Sequence, residues 1–144
     1  MKYIGIKVID ATPSTLGDYN RFKGWIIPEN EDPATEGYRV TYKDGYISWS
    51  PKEAFEESHR PFEGMPFGYA LEAMREGLKV ARKGWNGKGM YIQLVPKGFY
   101  DVGCSIAEGL NLLPWIGMKT ADSGFVPWLA SQTDVLAEDW CVVE

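Results

Sequence analysis

Ala81-Arg82-Lys83-Gly84-Trp85-Asn86-Gly87-Lys88-Gly89-Met90 decides how the second half of this chain is read. One large aromatic and one amide stand among three glycines and three cations, after an expected helix and strand and just ahead of another strand. Glycines at that density let backbone N–H groups come close to an anion, while the indole offers a flat ring to a base. The same letters also suit a glycine-rich hairpin whose Trp85 caps a core.

The flanks supply the element order. Upstream, Phe67, Ala70, Leu71 and Met74 recur at i, i+3, i+4 and i+7 and predict a helix closed by Gly77, followed by a short strand over residues 78–82. Downstream, Met90, Ile92 and Leu94 alternate with Tyr91, Gln93 and Val95, a strand pattern. Residues 96–111 form a longer connection, and residues 113–120 return as a strand whose Pro114 marks a start or an edge. Ser131-Gln132-Thr133-Asp134 has the form of a capping box, so a helix should begin near Gln132 and bury Val135 and Leu136; residues 140–143 should close the sheet. With no repeated strand-helix-strand unit, this order predicts an α+β fold with a mainly antiparallel sheet and short helices, not a doubly wound parallel one.

Pro61-Phe62-Glu63-Gly64-Met65-Pro66 reads as a boundary between a small α+β module over residues 1–62 and a ligand-binding domain over residues 65–144. In the first module a strand is expected over residues 3–9, then a helix over 13–23 with Thr12 as N-cap and Gly24 as stop. Residues 37–49 predict a hairpin turning at Asp44-Gly45, pairing Tyr42 with Ile47 and Val40 with Trp49. Ser50-Pro51-Lys52-Glu53 then predicts a capped helix running to about His59.

A formal net charge of −5 disfavours generic binding to duplex nucleic acid. Arg75, Lys79, Arg82, Lys83 and Lys88 nevertheless lie close together and would draw a small anion, although cations also belong at helix ends. No apolar run approaches the roughly 20 residues that span a bilayer, and the first residues are too polar for a signal peptide, so a cytoplasmic location is expected. Cys104 and Cys141 have no CxxC spacing, and His59 is the only histidine, which argues against a disulfide framework or a metal site. The glycines at 84, 87 and 89 have the reverse of the dinucleotide spacing, and Lys88 precedes Gly89 where a P-loop needs Ser or Thr. Nucleophile elbows are also absent, so neither catalysis nor a cofactor is expected. What remains is Phe67, Trp85, Asn86, Thr120, Trp128, Ser131, Gln132 and Asp134, an inventory of rings, amides, hydroxyls and one carboxylate. It suits recognition of a nucleotide without turnover. Taken singly, the indoles also fit a core, and Ser131 with Asp134 also fits a helix cap.

Three ordered stretches carry a resemblance: Met65-Pro66-Phe67-Gly68-Tyr69-Ala70-Leu71, then Val80 through Met90, then Trp128-Leu129-Ala130-Ser131-Gln132-Thr133-Asp134-Val135-Leu136-Ala137-Glu138-Asp139-Trp140. They resemble the phage family of Thoeris anti-defence proteins of the second type, over about residues 65–144. The resemblance implies a homotetramer in the infected host that sequesters glyco-cyclic ADP-ribose, the signal of a bacterial TIR-domain protein, and leaves it intact. It also implies possible binding of cyclic oligonucleotides elsewhere on the protein. On that reading Trp85 and Trp128 flank the adenine and Phe67 completes the wall, while Asn86, Ser131, Gln132 and Asp134 bond to ribose or phosphate, with Thr120 beside them. The alternative is a phage structural or protein-interaction module with no nucleotide ligand. The first module has no counterpart in the family's minimal members.

Overall fold

The structure, a computed structural model, describes residues 1–85, 89–98 and 109–144. The chain forms two compact units, one of Lys7–Arg60 and one of Met1–Ile6 with Pro61–Glu144. Their antiparallel sheets and short helices make the α+β class that the sequence predicts.

In the Lys7–Arg60 unit, strands β1 (Asp10–Pro13), β2 (Gly37–Thr41) and β3 (Ile47–Pro51) form an antiparallel sheet in that order. The strand expected over residues 3–9 is not formed. Tyr3 and Ile4 are 84% and 98% exposed, whereas Tyr38 to Thr41 pair with Pro13 back to Asp10. Alternation marks a strand only where a partner edge is within reach. Thr12 and Pro13 being spent in β1, helix α1 (Leu16–Lys23) starts later than expected, with Thr15 as N-cap accepting from the Asp18 N–H at 3.1 Å. It ends at Gly24 as expected, in the left-handed region at φ +69°.

The hairpin forms one residue out of the expected register. Thr41 faces Ile47, Val40 faces Ser48 and Arg39 faces Trp49. The loop holds three residues, because Gly45 at φ +84° adds a left-handed residue to the turn, and the Tyr42 N–H donates to the Tyr46 carbonyl at 2.9 Å. Apolar residues lie on both faces of this hairpin, so the pattern could not fix the slip. Gly37 is required here: a Cβ would sit 2.4 Å from both the Ser50 carbonyl and the Trp49 indole. Helix α2 (Lys52–Ser58) lacks the expected serine cap, since Ser50 stays in β3 opposite Tyr38 and Pro51 takes the N-cap position. Phe55 stacks between Tyr38 and His59, both at 4.3 Å, and packs α2 on the sheet.

In the second unit β4 (Glu63–Met65), β5 (Lys79–Arg82), β6 (Tyr91–Val95), β7 (Trp115–Lys119), β8 (Phe125–Pro127) and β9 (Trp140–Val143) form an antiparallel sheet in the order β4-β9-β5-β6-β7-β8. The chain's last strand therefore lies inside the sheet, between β4 and β5, rather than closing its edge. Strands β4 and β8 were not expected: each has three residues, too few to show a period. Helix α3 (Phe67–Arg75) covers one face with the predicted stripe, burying Ala70 and Met74. Met65, Ala70, Ala73, Met74, Val80, Ile92 and Trp140 form the core at 2% exposure or less. The last helix, α4 (Gln132–Val135), is a single turn. Val135 and Leu136, expected to be buried by it, are 41% and 77% exposed, because one turn has no inward stripe to commit.

Candidate functional site

The registers bring distant segments to one end of the six-stranded sheet. Arg82 at the end of β5 faces Trp140 at the start of β9, which also faces Met65, just ahead of Pro66 and α3. At the same end Lys119 pairs with Tyr91 and with Phe125. Trp140 is the hub and is fully buried. Three half-buried rings surround it: Trp85 edge-on at 5.3 Å, Phe67 at 5.4 Å and Trp128 edge-on at 5.9 Å, with Phe67 and Trp128 also 5.7 Å apart. Each arrives by a different device. Phe67 is the first residue of α3, Trp85 follows a tight turn closed by its own N–H on the Arg82 carbonyl at 3.2 Å, and Trp128 is held by an N–H bond to Ile116 at 2.9 Å.

Ser131 caps α4, accepting from the Asp134 N–H at 3.0 Å and donating to the Asp134 carboxylate at 2.7 Å. Gln132, the first residue of α4, is exposed. The Trp140 indole N–H donates to the Asp134 carbonyl at 2.9 Å, which ties α4 to the hub. Thr120 stands in the turn after β7, bonding to the Asp122 carboxylate and to the Gly124 carbonyl rather than to the aromatic group. Asn86 lies outside the described residues.

The aromatic letters were visible in the sequence, but the ion pairs behind them were not. The Arg82 guanidinium donates from Nε to Asp139 at 2.8 Å, from Nη2 to the same carboxylate at 3.3 Å, and from Nη1 to Asp134 at 2.7 Å. Arg82 therefore does not stand as a free cation for an anion, as the cluster of basic residues suggested. Its two bonds to Asp139 and the one to Asp134 hold its proton more tightly than usual. Burial pushes the Asp134 carboxyl up, but bonds from Arg82, Ser131 and the Trp85 side chain outweigh it and leave the group below its ordinary value. The Arg82 bonds hold Asp139 low as well. Among the described residues no cluster of His, Cys, Asp and Glu could hold a metal ion.

Residues 65–143 match the Thoeris anti-defense 2-like domain, more than half of the chain. The chain belongs to that family. Thoeris anti-defense 2 of Bacillus phage SP01 is 45% identical over 85 residues, covering 55% of this chain and 94% of the phage protein. The family's matched stretch runs from β4 to β9 and so contains the whole aromatic group, while Lys7–Arg60 lies outside it. No helix among the described residues is long and apolar enough to cross a membrane.

The family domain should show an acid limit set by its ion pairs. Asp134 and Asp139 titrate below the ordinary carboxylate value of about 3.9 when folded, so their bonds stabilise the fold above that pH and are lost as pH falls through the lowered values. Thermal melting followed by circular dichroism should be flat from about pH 7 to 5 and fall below about pH 4. Asp139→Asn should lower the melting temperature at pH 7 and make the acid fall shallower; an unchanged acid limb would show that the pair contributes nothing.

Proposed function

We propose that the family domain captures glyco-cyclic ADP-ribose, the cyclic nucleotide signal made by bacterial TIR-domain proteins, and silences Thoeris defence by holding it unaltered. The observation that carries this reading is the aromatic group: Phe67, Trp85 and Trp128 are braced on a buried indole, and each of the three residues stays partly exposed.

Adenine stacks against Trp85 and Trp128, with Phe67 completing the wall. Ser131, Gln132, Asn86, Asp134 and Thr120 supply the polar partners for ribose and phosphate. Stacking contributes roughly 1–3 kcal/mol per ring, whereas nanomolar capture needs about 12 kcal/mol, so polar contacts must provide most of the affinity. The strongly exposed Leu129 and Leu136, at 92% and 77%, suit contacts between copies, in keeping with a homotetramer in the phage-infected host cytoplasm. Cyclic oligonucleotides are candidate ligands at other places on such an assembly.

Capture without turnover is tested directly. The pure protein is mixed with glyco-cyclic ADP-ribose, washed on a filter and then heated. A sponge retains the nucleotide and releases it chemically unchanged. Altered nucleotide would make the protein an enzyme, and failure to retain any would leave a structural or protein-interaction module.

A further inference from the structure

We propose that Arg82 and Asp139, which are not among the residues assigned to the nucleotide, are positioning residues that set the Trp85 indole for stacking. The proposal rests on the reading of this site given above. Trp85 stands outside any helix or strand, so its ring direction is not fixed by a ladder of backbone bonds. Asp139 fixes it instead. Its carboxylate takes two bonds from Arg82, and its carbonyl accepts the Lys83 N–H at 3.1 Å, two residues ahead of Trp85. Arg82, held at two nitrogens, places its third on Asp134 at 2.7 Å. Asp134, so oriented and also bonded by Ser131, accepts the Trp140 indole N–H on its carbonyl at 2.9 Å, and Trp140 meets the Trp85 ring edge-on at 5.3 Å while the Trp85 backbone N–H rests on the Arg82 carbonyl at 3.2 Å. Arg82 thus links the residue that pins the turn, Asp139, to the residue that anchors the hub under the Trp85 ring, Asp134.

In the free protein, about half of the acceptor capacity of the Asp134 carboxylate is already committed, to Arg82 and to Ser131, since a carboxylate offers about four lone-pair sites. Those bonds hold Arg82 and the start of α4 in place, and the remaining sites are left for the ligand's hydroxyls. The network also brings two carboxylates close to a site meant for an anionic nucleotide, with one guanidinium between them. This makes the two possible roles of Asp139 separable by sign. If its charge acted on the ligand directly, removing that charge would tighten binding of a phosphate-bearing molecule. If Asp139 acts through Arg82 and Trp85, removing it must weaken binding.

The experiment is titration calorimetry of the full chain with glyco-cyclic ADP-ribose, together with nuclear magnetic resonance of the Trp85 indole N–H, identified by its loss in Trp85→Phe. Asp139→Asn keeps the side-chain shape and should weaken binding about tenfold. In a Trp85→Ala background, which has no ring to aim, the same change should cost less than about twofold. Arg82→Lys, whose ammonium cannot grip two carboxylates as a planar fork does, should behave like Asp139→Asn. Without ligand, both single variants should shift the Trp85 indole resonance. Tighter or unchanged binding in Asp139→Asn, an equal loss in the Trp85→Ala background, or an unmoved indole resonance would overturn the proposal. If the wild type binds no nucleotide, the capture reading falls, and the ligand-free resonance still decides whether Arg82 and Asp139 position the ring.

Discussion

Trp140→Ala should cost the family domain about 3–5 kcal/mol, the usual range for removing a buried aromatic side chain. Trp140 has no exposed surface, and it supports Phe67, Trp85 and Trp128 through ring contacts at 5.3 to 5.9 Å. Its indole also carries the bond to the Asp134 carbonyl, so truncation leaves both a cavity and a carbonyl without its donor. Small domains have about 5–15 kcal/mol in hand, so the variant should be largely or marginally folded depending on temperature. Amide hydrogen exchange is the suitable readout, because it reports β5, β6 and β9 without interference from Lys7–Arg60. Protection there should fall by a factor of hundreds to thousands, the equivalent of that energy. Protection within tenfold of the wild type would mean that the hub is not a main support of this core.

This hub shows where sequence reading stops. Helix α3 was legible, because Phe67, Ala70, Leu71 and Met74 repeat at the helical period and Gly77 takes φ +88° after it. Strands β5, β6, β7 and β9 were expected where they form, β6 from its alternation, β5 after the Gly77 stop and β7 at Pro114. Their order was not. Trp140 looked like one more apolar residue of a closing strand, and only the insertion of β9 between β4 and β5 puts it under three other rings. The Arg82 network failed to show for the same reason: its carboxylates lie 52 and 57 residues away, and no local spacing links them. Thr15 displaced Thr12 as a cap because a neighbouring strand claimed Thr12 first, a competition that local propensity does not contain. The aromatic and polar letters of the site could be read singly; which of them meet could not.

Trp85→Ala separates function from fold most sharply. Trp85 is half-buried, lies beyond the last residue of β5 and touches the hub by an edge, so its loss opens no sealed cavity. Thermal stability should fall by only a few degrees, in line with the cost of about 1 kcal/mol typical of partly exposed positions. Binding of glyco-cyclic ADP-ribose should suffer far more. Loss of one stacking face alone removes roughly 1–3 kcal/mol, a factor of about 5 to 150 in affinity. Trp85→Phe should fall between wild type and Trp85→Ala, since it keeps a ring for stacking and lacks the indole N–H. Calorimetry on the three proteins therefore resolves the two contributions: a Phe variant equal to wild type assigns the effect to stacking, and one equal to Ala assigns it to the donor. Unchanged affinity in Trp85→Ala would remove this indole from the site altogether, and Trp128 and Phe67 alone would then have to hold the base.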